Sequence, residues 1–155
     1  MKDLPVSVRW MIRSDSPQVT QILDWDNELL SAMLRQRDVI GMVAEISEYE
    51  KDAGRVVGAV VYQLLEREIL IIRIAVAKDV RRCGVGVQIL LHLRRKITQG
   101  ARRYRIIANI NPGDLRGAMF FRGLNYRYSP GDDDNHGNYR MVCVVPDCRN
   151  RSKYT

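Results

Sequence analysis

Cysteine and histidine are scarce in this chain of 155 residues, with three of one and two of the other. Cys83, Cys143 and Cys148 are odd in number, and neither Cys-x-x-Cys nor a His pair occurs, so metal-type spacing is missing. A reduced, cytoplasmic setting without a bound metal is therefore expected. No apolar run reaches the ~18–20 residues of a membrane span. Lys2 is followed by no apolar stretch, so a signal peptide is not expected either. Repeats, low-complexity segments and linkers are also lacking, which leaves one domain over residues 1–155, with a core of about 6–145 and a basic tail over 146–155. Neither the G-x-G-x-x-G dinucleotide fingerprint nor the G-x-x-x-x-G-K-[ST] phosphate loop is present.

What is there is a soluble composition, 46% hydrophobic and 28% charged, with a net charge of +7. The positive charge is uneven. From Lys78 to Arg105 there are nine basic residues against one acid, Asp79. Such a stretch suits a nucleic acid, a polyanionic small molecule, or a solvated helix face with no partner.

Periodicity gives the element order β-α-α-β-β-β-α-β-α-β-β. Strands are expected over Val6–Arg13, Ile40–Ser47, Arg55–Leu65, Ile69–Val76, Tyr104–Ile110, Asn125–Tyr128 and Tyr139–Val145. Asp15-Ser16-Pro17 starts a first helix, with Val19, Ile22, Leu23 and Asp26 at helical spacing; Glu28–Arg37 is the second. Val85 to about Thr98 is the third, ended by Gly100, with Val87, Leu90, Leu91 and Ile97 on its inner face. Leu115–Gly123 is the fourth, capped from Asn111-Pro112-Gly113-Asp114. Ile69–Val76 is apolar at nearly every position and reads as a strand buried on both faces, with helices covering both sides. The class is mixed α/β with a largely antiparallel sheet and at least one parallel pair.

The stretch Ile69–Leu93 organises the rest. An apolar strand runs into a basic turn, Lys78-Asp79-Val80-Arg81-Arg82-Cys83-Gly84-Val85-Gly86, and then into an amphipathic helix. Loop N–H groups and a helix N-terminus attract an anion, glycines let the backbone approach it, and Arg81 and Arg82 add charge. As a bare pattern this is also an ordinary strand-to-helix turn.

Arg81-x-x-Gly84-x-Gly86, after a strand ending Ile74-Ala75-Val76, resembles the (Q/R)-x-x-G-x-(G/A) pyrophosphate loop of the GCN5-related N-acetyltransferase (GNAT) superfamily. Asn111-x-x-Asp114-x-x-Gly117-x-x-Phe120-Phe121-x-x-x-Asn125-Tyr126 resembles that superfamily's last-helix motif. Within it the chain is most similar to the ribosomal-protein-alanine N-acetyltransferases. The resemblance covers about residues 6–145 and implies a GNAT-like fold with acetyl-CoA as co-substrate. It implies that the backbone of Ile74, Ala75 and Val76 meets the acetyl and pantetheine groups. Arg81, Arg82, Cys83, Gly84, Val85, Gly86 and Val87 would cradle the pyrophosphate, and Asp114 and Phe121 would stand beside the cofactor.

Departures from that pattern bear on the chemistry. The superfamily's general base position holds Asn109, which takes no proton. Its tyrosine acid is Phe121, which donates none, and Asp114 replaces an asparagine. Three accounts stand open: catalysis by proximity, other groups in the missing roles, or acetyl-CoA binding without efficient turnover. Glu68, Tyr128 and Tyr139 are the candidates for the second. The acidic loop Asp132-Asp133-Asp134 suits a cationic amine or is a solvated turn, and His136 lies within it. Trp25 is a packed aromatic or lines an acceptor groove.

Taken together, these residues imply an acetyl-CoA-dependent N-acetyltransferase acting on a primary amine, with a protein or peptide N-terminus first and a small-molecule amine second. It would be a monomer or homodimer with no membrane partner. The rival is an interaction or nucleic-acid-binding module on the same fold. Tyr104 is the sole aromatic within Arg94–Arg105, which argues against single-strand stacking.

Overall fold

The computed structural model describes residues 3–99, 102–130 and 137–144. The acidic loop with His136, the expected helix stop at Gly100, Cys148 and the tail from Pro146 lie outside the described residues. Among the described residues seven strands form one sheet in the order β1-β2-β3-β4-β5-β7-β6, with four α-helices. In chain order these are β1 Val6–Trp10, α1 Ser16–Leu23, α2 Asn27–Leu34, β2 Val39–Ile46, β3 Val56–Leu64, β4 Glu68–Val76, α3 Val85–Gln99, β5 Arg105–Ile110, α4 Leu115–Gly123, β6 Arg127–Tyr128 and β7 Tyr139–Val144. Mixed α/β class, largely antiparallel pairing and element order are as expected. Contacts group the chain into two compact units, Met1–Gln63 with Arg73–Leu93, and Leu64–Ile72 with Arg94–Thr155.

In the first unit β1 pairs antiparallel with β2 from Val6↔Ile46 to Trp10↔Met42, and β2 with β3 from Val39↔Gln63 onward. β1 stops three residues short of its expected end. The cause is Asp15, whose buried carboxylate accepts the Ile12 N–H at 2.8 Å and two bonds from Arg9 at 2.8 and 2.9 Å. These contacts tighten Arg13–Asp15 into a 3-10 turn. Asp26 does not continue α1. The chain leaves α1 through Asp24 in the left-handed region (φ 56°), and Asp26 caps α2 by accepting the Leu29 N–H at 2.7 Å. Arg73 of β4 donates to the last α1 carbonyl, Leu23 O, at 3.1 Å.

Helices cover both faces of β2–β3. A Cβ on Gly58 would lie 2.9 Å from Val85 and Ile89 of α3, and one on Gly41 would lie 3.2 Å from Leu34 of α2. Thus β3, buried from Val56 through Tyr62, is enclosed on both sides, as is β2 from Gly41 through Ala44. The expected candidate, β4, buries only Ile69 and Ile71 fully; Ile74, Ala75 and Val76 are half-buried and Arg73 is exposed. The buried face of α3 also differs from expectation. Val85, Ile89, Leu90, Leu93 and Ile97 are buried, while Val87 is half-buried and Leu91 exposed. The close approach of α3 to Gly58 through Val85 and Ile89 sets that rotation.

In the second unit Glu68–Ile71 of β4 pair parallel with Arg105–Ala108 of β5. β5 pairs antiparallel with β7 from Arg105↔Val144 to Ile110↔Tyr139, and β7 with the two-residue β6. Ile106, Ala108, Ile110, Phe121, Tyr126, Met141 and Cys143 are buried there. Among the described residues no helix is long and apolar enough to cross a membrane.

Candidate active site

The loop after β4 is built from backbone geometry first. Lys78–Val80 form a 3-10 turn, Arg81 is extended (φ −61°, ψ 148°), Arg82 is left-handed (φ 66°), and α3 starts at Val85. Gly84 is left-handed too (φ 78°), a conformation that glycine takes without steric cost. For Arg82 the same region costs about 1–2 kcal/mol. Left-handed residues alternating with ordinary ones make the concave N–H arrangements that take anions, here leading into a 15-residue helix. Arg81 and Arg82 are exposed, and Arg81 Nε donates to Val76 O at 3.2 Å, tying the loop to the end of β4. The one acid in this stretch is neutralised: Asp79 takes two bonds from Arg55 at 2.7 and 2.8 Å, which hold its carboxyl below the usual range. The residues expected to meet a pyrophosphate, Arg81 through Val87, therefore form a continuous, net positive loop and helix start. The residues expected to meet the acetyl arm, Ile74, Ala75 and Val76, immediately precede it.

In the second unit Asp114 caps α4, its carboxylate accepting the Gly117 N–H at 2.9 Å. Asn111 Oδ1 accepts the Gly113 N–H at 2.8 Å and turns the chain out of β5. Phe121 is buried and makes edge contacts with Phe120 (5.3 Å between centroids) and Tyr126 (5.0 Å). Burial also raises the Tyr126 phenol well above its ordinary value, so it stays neutral. Asn109 is half-buried with its Oδ1 3.4 Å from Arg140 Nε.

The three residues named for the missing acid and base separate into two groups. Tyr128 and Tyr139 come together, ring centroids 5.3 Å apart and nearly perpendicular at 73°. They line a cavity of about 610 Å³ with Ile110, Leu115, Met119, Tyr126 and Met141. Glu68 stands apart from them at the start of β4, its carboxylate 2.5 Å from Arg105 Nε and its side chain 17% exposed. Sequence reasoning passed over Leu115 and Met119 as cavity walls. Their signal was the i, i+4 spacing of large apolar residues on a short helix, and both are exposed.

The described residues hold no cluster of three His, Cys, Asp or Glu side chains placed for a metal. The model of the acetyltransferase (GNAT) family matches residues 7–126. No curated protein sequence matches the chain. Among solved structures, Ard1 from Thermoplasma volcanium is similar with a TM-score of 0.73 at 18% identity, over 92% of this chain and 99% of that one. The ribosomal-protein-S18-alanine N-acetyltransferase from Escherichia coli is similar with a TM-score of 0.71 at 13% identity, over 91% and 94%. The PaiA N-acetyltransferase from Thermoplasma acidophilum, solved in complex with coenzyme A, is similar with a TM-score of 0.70 at 10% identity, over 91% and 99%. With the loop geometry, the element order and a family match over most of its length, the chain belongs to the acetyltransferase (GNAT) family.

Proposed function

We propose that this acetyltransferase uses Arg81–Val87 to hold the pyrophosphate of acetyl-CoA and passes the acetyl group to the N-terminal amine of a protein or peptide. The observation that carries the reading is the pair of left-handed residues, Arg82 and Gly84, in a loop with the exposed Arg81 and Arg82 immediately before the start of α3. The acceptor class is supported by similarity to a structure described as a ribosomal-protein-S18-alanine N-acetyltransferase.

Acetyl-CoA supplies an activated thioester. The acceptor nitrogen forms a bond to the thioester carbon, the C–S bond breaks, and one proton passes from the amine to the departing thiolate. Asn109 and Phe121 supply neither end of that proton transfer, since an amide is not a base and a phenyl ring carries no acidic proton. Orientation of the reacting atoms supplies the larger share of the rate, with about 7–11 kcal/mol available from it. Tyr128 and Tyr139 are the candidates for proton donation, and Glu68 is occupied by Arg105.

Calorimetric titration with CoA and with acetyl-CoA tests the loop. Micromolar binding of both is expected, with loss of binding in Gly84→Asp while the domain stays folded. Retained affinity in that variant would remove the pyrophosphate from this loop. A panel of free peptides and small amines, read by CoA release, then identifies the acceptor; turnover of small amines alone would overturn the N-terminal assignment.

A further inference from the structure

A non-glycine residue in the left-handed region, as Arg82 is, does not hold itself in place; it persists where the surroundings fix it. Here the fixing contacts come from Leu4, some eighty residues earlier in the chain, and from Gln88. The Leu4 N–H donates to Cys83 O at 2.8 Å, and Cys83 is the residue between Arg82 and Gly84. Gln88, in the first turn of α3, joins the two segments. Its Nε2 donates to Leu4 O at 2.8 Å and to Gly84 O at 3.1 Å, while its Oε1 accepts the Val6 N–H at 3.3 Å. One side chain thus ties residues 4 and 6 to the loop and helix start.

The same segment brings a charge. Asp3 lies so close to Gly84 that a Cβ there would stand 2.8 Å from both its Cγ and Oδ1. No ion pair engages Asp3 among the described residues, whereas Asp79 is neutralised by Arg55. A carboxylate against the middle of an anion-binding turn opposes an anion in that turn, by an amount that salt screens.

We propose that Asp3–Val6 is a strap with two effects on the loop: Gln88 and Leu4 hold its left-handed geometry, and Asp3 lowers its affinity for acetyl-CoA. Gln88, Leu4 and Asp3 are positioning residues. The inference rests on the assignment of Arg81–Val87 to the pyrophosphate, and the test separates the two.

The probe is CoA, titrated calorimetrically into wild type, Asp3→Asn, Asp3→Glu and Gln88→Leu, with hydrogen exchange of the loop amides measured without ligand. Asp3→Asn is expected to bind CoA about threefold tighter at low ionic strength, the gain shrinking in high salt, and to lower KM for acetyl-CoA with kcat unchanged. Asp3→Glu keeps the charge and should match wild type. Gln88→Leu loses three hydrogen bonds, and loop amides at 82–86 should exchange faster while CoA binds about fivefold more weakly. Equal affinity in Asp3→Asn and wild type overturns the charge effect. Unchanged loop exchange in Gln88→Leu overturns the strap. Absence of CoA binding to wild type overturns the pyrophosphate assignment and the affinity effect with it, and exchange still decides the strap.

Discussion

The Asp114 carboxylate accepts the backbone N–H of Gly117 at 2.9 Å, and Gly117 is the residue that makes room for it. A Cβ at position 117 would collide with that carboxylate. The pair therefore behaves as one unit, and Gly117→Ala should destabilise although alanine gains about 1 kcal/mol in helix propensity. The capping bond it displaces contributes about 1 kcal/mol, and the crowding adds to the loss. In an Asp114→Ala background the same substitution should stabilise, by about the propensity difference. Urea unfolding of the four variants checks this; additive effects would show that the two side chains do not interact.

Phe121→Tyr restores a hydroxyl at the position where the family pattern has one. Phe121 is 4% exposed, so the added oxygen is expected to cost about 1–2 kcal/mol in unfolding experiments. CoA affinity should stay within about twofold, and kcat should rise if protonation of the leaving thiolate limits the rate. Unchanged kcat would leave orientation as the main source of catalysis.

Glu68→Gln tests whether that carboxylate takes part in chemistry. Its ion pair with Arg105 is partly exposed, 33% on the arginine side, so the expected loss of stability is small, at most about 1 kcal/mol. Turnover should stay within about twofold. A tenfold fall in kcat with stability intact would place Glu68 in the reaction.

Tyr139→Phe should lower kcat about tenfold with little change in KM for acetyl-CoA, if the proton reaches the thiolate through this hydroxyl. Tyr128→Phe is the comparison, since both rings line the same cavity. Full activity in both single variants and in the double variant would assign the proton to water.

Acid should act through Asp15. Its carboxyl is held below the usual range chiefly by hydrogen bonds from Arg9, with the Ile12 N–H adding to them against burial. A folded-state value below the unfolded one gives stability that is complete above the unfolded pKa, about 3.9, and is lost as pH falls through the folded value. Wild type should therefore lose stability below about pH 4 more steeply than Asp15→Asn, which starts about 2 kcal/mol less stable at neutral pH. Parallel stability profiles between pH 2 and 5 would show that Asp15 is not the linked group.

Local signals in the sequence located whole elements where they were self-contained. The Asn111–Asp114 turn and Gly123 bracket α4, and its expected bounds coincide with those observed. The glycines at 84 and 86 mark the start of α3 in the same way. Local signals do not reach an outcome that a distant partner decides. The early end of β1 depends on Arg9 and Asp15 meeting, and the rotation of α3 depends on a missing side chain at Gly58. The apolar run of β4 suggested full burial because hydrophobicity was its only visible property. Ile74, Ala75 and Val76 keep that character while only half-buried, so apolar sequence alone does not mark the core. The link from Asp3 to Gly84 joins residues about half the chain apart, and no local pattern announces it.

The last strand in the sheet order, β6, is two residues long and consists of Arg127 and Tyr128, both exposed. An edge this short offers a passing chain little backbone to pair with, and its first residue carries a charge. That border of the sheet is thus guarded against strand-by-strand growth into aggregates. Substitutions that lengthened β6 or removed the charge of Arg127 would trade that protection away while leaving Arg81–Val87 untouched.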